Sequence, residues 1–336
     1  MDVLFLGGAG MIGSAAAAEV VRQGHQLTIV TRGEPRRRIP PEARQLRADV
    51  HDAAELRGVL AMKGAGGGPG RWAGGGAYDA VVNWVGFTPA QLDGHPELFS
   101  GRAGQYVFIS TCSVFARPVP QLPVTESSPR RQPVFGYARD KIACEEFLTG
   151  AYRAGALPLT IVRPFHTYDA TVVPVLAGWT AIERMRAGRP VVVHGDGSSL
   201  WTLMHASDLA RALVPLLGNG HAIGESVNVV SGDILTWDQI HLTLASAAGV
   251  ARPVLAHRSS ESIAVEWPSW GEVLEHDFRH SMLFDTAKLA RLVPGFAPRV
   301  SFAAGARGII EYYDGDPARQ RVSADLDAAF DRLVAR

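Results

Sequence analysis

Short, wholly apolar runs alternate with helix-like stretches through the first half of the chain. The apolar runs cover residues 3–6, 27–30, 80–82, 106–109 and 159–162. Between the first two runs, residues 14–23 follow a helical pattern that stops at Gly24. Strands that are apolar on both faces are typical of a parallel sheet covered by helices on both sides. The pattern therefore predicts an α/β fold with a doubly wound parallel sheet.

The second half of the sequence has a looser pattern. Its candidate elements are one strand and two helices, at 191–193, 207–217 and 236–248. We expect residues 1–165 to form the sheet domain, with later segments near 200–235 returning to it. Residues 166–336 should form mainly a smaller C-terminal lobe that closes over a ligand bound at the sheet edge.

The composition of the chain excludes several classes of function. The 336 residues include 33 Lys+Arg and 33 Asp+Glu, and this neutral balance argues against nucleic acid as a partner. Two cysteines, Cys112 and Cys144, are too few for a disulfide framework or a cysteine-based zinc site. His276 and His280 form a close pair at helical spacing, but no third ligand is evident, so we expect no metal.

The sequence shows no signal peptide and no apolar stretch long enough to span a membrane, so we expect a cytoplasmic protein. Glycine is unusually frequent, at 36 residues. Eight of these glycines lie in the segment 64–76. We interpret that segment as a flexible insertion without chemistry of its own, between a helix at 53–60 and the following strand.

A smaller group of glycines lies between the first strand and the first helix. Gly7, Gly10 and Gly13 have the spacing that allows a tight turn and a close approach of the backbone to a pyrophosphate. The N-terminus of the helix that follows would offer free N–H groups and the positive end of its dipole to the phosphates, and we expect Met11 and Ile12 of the turn to contact the cofactor as well. This strand–turn–helix context predicts an NAD(P)-binding Rossmann domain.

The end of the second strand indicates which dinucleotide binds. A carboxylate there would bind the ribose 2′-hydroxyl of NAD, but the sequence has Thr31 and Arg32, with further arginines at 36–38. A guanidinium can hold a 2′-phosphate. NADP is therefore favoured over NAD, with Arg32 as its contact, and NAD is the alternative. Asp49 and Val50, after a third short segment, are expected to border the adenine.

A tyrosine and a lysine, Tyr137 and Lys141, are four residues apart, which places both on one face of a helix. A tyrosine is a poor base at its ordinary pKa of about 10, and an ammonium one turn away would lower that pKa. Ser110 and Thr111 follow an apolar strand, at the edge where ligands bind in doubly wound sheets. We expect these groups to exchange a proton with a substrate hydroxyl while a nicotinamide exchanges hydride.

With these motifs, the chain resembles the extended short-chain dehydrogenases/reductases of the NAD-dependent epimerase/dehydratase family. The matching features run from residue 3 to about residue 210: the glycine turn, Asp49, Ser110-Thr111, Tyr137/Lys141, 162–164, 195–197 and 205–210. Leu-Gly-Gly in the first turn, Thr-Arg-Gly after the second strand and Tyr-Ala-Arg-Asp-Lys-Ile resemble the branch around the chloroplast stem-loop-binding proteins.

The resemblance implies roles for individual residues. Tyr137 would be the catalytic acid/base, Lys141 its partner and the anchor of the nicotinamide ribose, and Thr111 the hydroxyl that polarises the substrate. Pro164 would pack on the nicotinamide, and Asn83 would line the pyrophosphate or ribose side of the cofactor. A homodimer through two helices of each first domain is also implied.

Two departures from the family pattern bear on the substrate. Dehydratases of the family carry an Asp-Glu pair directly after the threonine, whereas this chain has Cys112 and Ser113. Nucleotide-sugar enzymes often hold the substrate diphosphate with an arginine near the place where this chain has Trp201. We expect the substrate to contact Ser110, Cys112, Ser113, His166 and Trp201.

These features predict an NAD(P)-dependent oxidoreductase or epimerase. Its substrate would be a secondary alcohol or ketone of a sugar-like molecule, either a nucleotide sugar, a nucleoside or a glycoside. The sequence does not separate epimerisation from net oxidation or reduction. The alternative is a non-catalytic dinucleotide-binding scaffold with an RNA-binding or regulatory role, and the neutral charge and the intact Thr/Tyr/Lys set weigh against it.

Overall fold

The computed structural model describes residues 1–35, 37–61 and 78–335, so the glycine-rich segment 64–76 and Arg36 lie outside the described residues. The strands are β1 (Asp2–Leu6), β2 (Gln26–Thr31), β3 (Arg44–Arg47), β4 (Ala80–Asn83), β5 (Tyr106–Ile109), β6 (Leu159–Pro164), β7 (Thr167–Tyr168), β8 (Val191–His194), β9 (Leu200–Trp201), β10 (Met204–His205), β11 (Ser226–Val229), β12 (Leu235–Thr236) and β13 (Leu255–Arg258). The helices are α1 (Met11–Arg22), α2 (Ala53–Ala61), α3 (His95–Phe99), α4 (Gly136–Arg153), α5 (Trp179–Arg186), α6 (Ala206–Leu213), α7 (Trp237–Ala247), α8 (Ser260–Glu266), α9 (Pro268–Val273), α10 (Ala287–Leu292), α11 (Phe302–Asp314) and α12 (Ala324–Ala335).

A seven-stranded sheet forms the centre of the molecule, in the order β11–β6–β5–β4–β1–β2–β3. Every neighbouring pair in it is parallel. The chain builds one side of the sheet from β1 to β3 and then crosses to β4 to build the other side. This is the doubly wound arrangement, and the point of reversal between β1 and β4 is where such sheets bind ligands. The predicted fold class is confirmed.

The second half of the chain contributes to this sheet as well as to structure of its own. β11 lies beside β6, with Val229 in register with Pro164. Three two-stranded sheets, β7 with β10, β9 with β12 and β8 with β13, lie in the second half. The division of the chain into domains near residue 165 stays a prediction.

Helices cover both faces of the sheet with separate apolar clusters. Val3 and Phe5 of β1 point toward one cluster, which includes residues of α1, α6 and α10. Leu4 and Leu6 point the opposite way, toward residues of α2, α3 and α4. Successive side chains of a strand point to opposite faces. A strand covered on both sides is therefore apolar throughout, which explains the runs seen in the sequence.

Three predicted helices differ from the observed ones at their ends. α1 begins at Met11, three residues earlier than predicted, because Gly10 has extended backbone and starts the helix directly after the turn. α6 stops at Leu213 and continues only as a 3₁₀ turn over Val214–Leu216, because Pro215 within it has no N–H to donate. α7 begins after Thr236, whose side chain accepts the third N–H of the helix.

Two further structural findings concern the described ranges alone. No helix within them has the length and apolar character needed to cross a bilayer. No group of three or more His, Cys, Asp or Glu side chains in the same ranges is arranged to hold a metal ion.

A buried carboxylate on α4 joins the strand ends on that side of the sheet. Glu145 is fully buried and accepts N–H groups from Arg163 of β6 at 2.7 and 2.8 Å and from Arg130 at 2.5 Å. It also accepts the hydroxyl of Ser110 at 2.6 Å. Burial alone would raise the pKa of Glu145, but these partners hold it below its ordinary value. The network fixes α4 against the ends of β5 and β6.

Removing this carboxylate should destabilise the fold. We expect Glu145→Ala to lower the free energy of unfolding by about 3–5 kcal/mol, because the Arg163 guanidinium stays buried without its partner. Glu146→Ala, at an exposed position of the same helix, should change it by less than about 0.5 kcal/mol. Urea unfolding followed by circular dichroism measures both variants, and equal losses would contradict the role given to Glu145.

Candidate active site

The turn between β1 and α1 depends on glycine at several positions. Gly7 and Gly8 have φ values of +78° and +86°. A Cβ atom on Gly13 would lie 2.4 Å from the Cα and carbonyl oxygen of Gly8. A Cβ atom on Gly10 would instead meet no atom within 4 Å. The turn is therefore tightly packed on its inner side and open at Gly10, where α1 begins.

A cleft of about 540 Å³ lies beside this turn, at the point where the strand order reverses. Gly10, Ile12 and Gly13 line it at the N-terminus of α1, where free N–H groups and the helix dipole favour an anion. The remaining walls are formed by Gly7, Gly8, Ala9, Val30, Thr31, Arg32, Gly33, Glu34, Val50, His51, Trp84, Val85 and Phe87. Met11, although predicted as a contact, is not among these lining residues.

Charged residues gather at the β2 end of the cleft. Arg32 lines it with 69% of its side chain exposed, and its guanidinium lies 4.0 Å from the carboxylate of Asp49. Glu34, which was not predicted from the sequence, lines the same part. Asp49 accepts the N–H of His51 at 3.0 Å. Val50 and His51, rather than Asp49, line the cleft.

Asn83 does not reach the cleft, contrary to the prediction. It is fully buried, and its Oδ1 accepts the N–H groups of Val85 and Gly86 at 3.0 and 2.9 Å. Its Nδ2 donates to the Tyr106 hydroxyl at 2.8 Å. Asn83 therefore shapes the turn after β4, and the residues of that turn form the wall of the cleft.

The cleft fits a dinucleotide. The space beside Gly10, which any larger residue would fill, lies at a helix N-terminus and suits a pyrophosphate. Val30 and Val50 offer an apolar surface for a base. Arg32 and Glu34 supply the polar groups that the ribose end requires.

The predicted catalytic hydroxyls meet at the carboxyl end of β5. Tyr137 lies in the first turn of α4, beside the Thr111 side chain. Thr111 Oγ1 also accepts the N–H of Ser113 at 3.1 Å. Tyr137 as a whole is 43% exposed, but its hydroxyl end is desolvated. This burial raises the pKa of Tyr137, the neighbouring Thr111 side chain lowers it, and the negative charge of Asp277 raises it further.

Lys141 lies one turn further along α4 and is almost fully buried. Its Nζ donates to the carbonyl oxygens of Gly86 at 2.7 Å and Ile109 at 2.8 Å. The ring of Phe87, which lines the cleft, is centred 4.9 Å from Nζ. Burial lowers the pKa of Lys141 to about 8. The structure thus differs from the expectation that Lys141 lowers the pKa of Tyr137, because burial raises that pKa and the ammonium is bonded to two carbonyls.

Two residues predicted to contact the substrate face the interior instead. The Ser110 hydroxyl is bonded to Glu145. Cys112 is fully buried, its Sγ donates to the carbonyl oxygen of Arg163 at 3.2 Å, and burial raises its pKa well above the ordinary value. The reason is the extended backbone that leaves β5, which turns Ser110 and Cys112 away from the side that Thr111 occupies.

Ser113 contacts a residue that was not predicted from the sequence. Its hydroxyl donates to a carboxylate oxygen of Asp277 at 2.9 Å. Asp277 is buried and lies in a single π-helical turn, Leu274–Phe278. Arg117, also buried, donates to the second carboxylate oxygen at 2.7 and 3.2 Å. Because 164 residues separate Ser113 from Asp277, no local pattern in the sequence indicates this contact.

His166 follows β6 at the same edge of the sheet and is paired with Trp201. The Trp201 indole donates to Nδ1 of His166 at 2.9 Å, so the neutral ring carries its proton on Nε2. Burial lowers the pKa of His166 to about 4. Trp201 is 1% exposed and packs against Phe278, so it is not open to the substrate contact that was predicted. Pro164 is the buried last residue of β6.

Comparisons with known proteins agree with this geometry. This chain is an enzyme of the extended class of short-chain dehydrogenases/reductases. The profile of the NAD dependent epimerase/dehydratase family matches residues 3–230. The chain belongs to that family.

The relatives compared with this chain share little of its sequence. It is 23% identical to the chloroplast stem-loop binding protein of 41 kDa b of Arabidopsis thaliana, over 99% of this chain and 83% of the relative. It is 28% identical to 2′-dehydrokanamycin reductase of Streptomyces kanamyceticus, over 89% of this chain and 81% of the relative. The fold is shared with UDP-glucuronic acid 4-epimerase from Bacillus cereus in complex with NAD, at a TM-score of 0.70 and 17% identity, covering 94% of this chain and 99% of that one.

Two glycine substitutions should separate folding from cofactor binding. Gly13→Ala should lower the thermal midpoint of unfolding, because its Cβ would collide with the backbone of Gly8. Gly10→Ala should leave that midpoint nearly unchanged but weaken binding of NAD and NADP about tenfold or more, because its methyl group would occupy the phosphate side of the cleft. Thermal melting and calorimetric titration with each nucleotide measure the two effects. Unaltered nucleotide binding by Gly10→Ala would contradict the site.

Proposed function

We propose that this enzyme is an NAD(P)-dependent oxidoreductase or epimerase acting on a secondary alcohol or ketone of a sugar-like ring. The substrate would be a nucleotide sugar, a nucleoside or a glycoside. The observation that supports the proposal is the position of Tyr137 and Lys141 on α4, at the end of β5 and beside the turn after β4 that walls the cleft, where Lys141 bonds to the carbonyl oxygens of Gly86 and Ile109. A substrate oxygen bonded to the hydroxyls of Thr111 and Tyr137 would lie between this pair and the nicotinamide end of the cleft.

The chemistry at this pair follows from the residues present. Tyr137 would accept the substrate hydroxyl proton during oxidation and return it to the ketone oxygen during reduction. Thr111 would hold the same oxygen, and Lys141 would carry positive charge near the two hydroxyls. The bound dinucleotide supplies the acceptor and donor of hydride. Epimerisation would use the same residues twice, with hydride returned to the opposite face of the ketone.

The surroundings of Thr111 support oxidation and reduction rather than loss of water. The next two residues, Cys112 and Ser113, carry no carboxyl group. Asp277 behind Ser113 is paired with Arg117. The names of two similar proteins, a reductase of 2′-dehydrokanamycin and a 4-epimerase of UDP-glucuronic acid, also fit a reaction at one carbon of a sugar-like ring.

We favour NADP as the cofactor because Arg32 lines the cleft directly after β2. Arg37, in the same loop, is committed to Asp169 and Thr171 and is not available for a 2′-phosphate. Glu34 gives the same part of the cleft a negative charge, which would suit the free 2′-hydroxyl of NAD. The choice between the two nucleotides depends on which of Arg32 and Glu34 faces the ribose.

We also infer a cytoplasmic homodimer formed through α4. That helix leaves the large side chains of Phe147 and Tyr152 exposed, each at 37%, and a second copy of the helix would cover them.

A second candidate function is an RNA-binding scaffold. It is favoured by the similarity to the chloroplast stem-loop binding protein, which extends over 99% of this chain. The charge balance of the chain, 33 basic and 33 acidic residues, offers no net attraction for phosphates.

Removal of the Tyr137 hydroxyl tests the catalytic proposal. The probes are kanamycin, UDP-glucose and UDP-glucuronic acid, each supplied with NAD and with NADP and followed by nicotinamide absorbance and product analysis. We expect Tyr137→Phe to lower kcat about a hundredfold or more on the probe that reacts, because proton transfer to a positioned group is lost. Tyr312→Phe, on α11 and outside both this site and the inferred dimer helix, is the control.

Retention of most activity by Tyr137→Phe would overturn the mechanism. The absence of turnover with every probe, together with salt-dependent binding of RNA, would favour the scaffold instead.

A change of charge at Arg32 tests the choice of cofactor. We expect Arg32→Asp to weaken binding of NADP about tenfold more than binding of NAD, because a bond between two charged groups is lost only with the 2′-phosphate. Glu34→Gln should not weaken binding of NADP. Calorimetric titration of both variants with both nucleotides gives the ratio, and equal losses for NADP and NAD in Arg32→Asp would refute the preference.

A further inference from the structure

The second half of the chain inserts one buried carboxylate beside the catalytic hydroxyls. Asp277 lies in the π-helical turn that follows α9, and Ser113 and Arg117 lie in the segment after β5. Asp277 accepts the Ser113 hydroxyl at 2.9 Å and the Arg117 guanidinium at 2.7 and 3.2 Å. These contacts join the two halves of the molecule within the segment that carries Thr111.

The direction of these hydrogen bonds fixes what Ser113 can offer to a ligand. A carboxylate paired with a guanidinium can only accept, so the Ser113 hydroxyl must donate its proton to Asp277. Toward any other partner, the Ser113 oxygen can then act only as a hydrogen-bond acceptor. Its N–H is bonded to Thr111 Oγ1 at 3.1 Å, and the Thr111 side chain lies close enough to Tyr137 to lower its pKa. Hydrogen bonds therefore connect Asp277 through Ser113 to Thr111, the neighbour of Tyr137.

Building on the function proposed above, we propose that Asp277 is a positioning residue for the Thr111–Tyr137 pair. Through Ser113 it holds the turn on which Thr111 lies. It also leaves the Ser113 hydroxyl able to accept a hydrogen bond from a ligand but unable to donate one. The site would then select a sugar-like substrate that presents an O–H or N–H donor beside the reacting oxygen.

The charges around Tyr137 determine how Asp277 should affect it. The negative charge of Asp277 acts with burial to raise the pKa of Tyr137. The charged and titratable groups that pack around this pair are Arg117 after β5, Lys141 on α4, and Glu272 and His280 on the segment that carries Asp277. Glu272 accepts the N–H of Gly136, and Lys141 is bonded to two carbonyls, so Arg117 is the charge that directly compensates Asp277.

Two variants of the pair should move the pKa of Tyr137 in opposite directions. Asp277→Asn removes the negative charge and leaves Arg117 uncompensated, so the pKa of Tyr137 should fall. Arg117→Gln leaves the carboxylate uncompensated, so the pKa should rise. The Tyr137 signal is followed by NMR of protein labelled at the tyrosine ζ carbon, and it is assigned by its loss in Tyr137→Phe.

A matched control loses a similar ion pair far from the site. Asp327 pairs at 2.6 Å with Arg184, which is as buried as Arg117. Asp327→Asn should leave the Tyr137 titration unchanged. Shifts of opposite sign in the two site variants, with none in the control, support the proposal. An unchanged Tyr137 titration in Asp277→Asn, or shifts of the same sign in both site variants, overturns it.

The titration needs no substrate, so its result does not depend on the proposed function. Failure of every probe to react, with the opposite shifts present, would refute the function and leave the electrostatic role of Asp277 standing. If Asp277→Asn does not fold, Arg117→Gln tests the proposal by itself. A fall in the pKa of Tyr137 in that variant, or no change in it, overturns the proposal.

The role given to Ser113 has its own readout. With the probe that reacts, Ser113→Ala should raise KM severalfold more than it lowers kcat, and Ser113→Thr, which keeps the hydroxyl, should restore KM. An unchanged KM in Ser113→Ala would remove Ser113 from substrate selection.

Discussion

The buried carboxylate of Glu145 fixes the helix that carries Tyr137 and Lys141 against the strand ends that carry Thr111 and Arg163. A charge inside a protein costs several kcal/mol in lost hydration unless well-placed partners offset it. Here two guanidinium groups and one hydroxyl offset it. Because loss of Glu145 would leave the buried Arg163 guanidinium without its partner, the carboxylate holds α4 at one position relative to the sheet, and with it Tyr137 and Lys141.

The same exclusion of water shapes the chemistry of the two residues on α4. Burial lowers the pKa of Lys141 to about 8 and raises the pKa of Tyr137, so both residues are moved toward their neutral forms. In such surroundings a nearby charge acts more strongly than it would in water. The ion pair of Asp277 and Arg117 is therefore able to influence a phenol that it does not directly hold.

Features that depend on backbone conformation could be predicted from the sequence. Five of the seven strands of the main sheet follow from apolar runs, whereas β3 and β11 carry polar residues and do not. The tight turn after β1 follows from glycine spacing. The direction of side chains could not be predicted in the same way. Ser110 and Cys112 belong to a polar stretch at a ligand-binding edge, yet the extended backbone turns them inward. Trp201 donates its indole N–H to His166, which is 35 residues away in sequence. Asp277 lies beside Ser113, which is 164 residues away, because the tertiary fold brings the two segments together.

The position of β11 has a consequence for how the protein is synthesised. The chain leaves the main sheet after β6 and returns to it only at Ser226. Until the ribosome has made that return segment, the outer edge of β6 has unpaired N–H and C=O groups, which can pair with a strand of another chain. At about 5–20 residues per second, this interval lasts several seconds. The nascent protein thus passes through a stage in which it is exposed to misassembly, and the last strand of the sheet ends that stage.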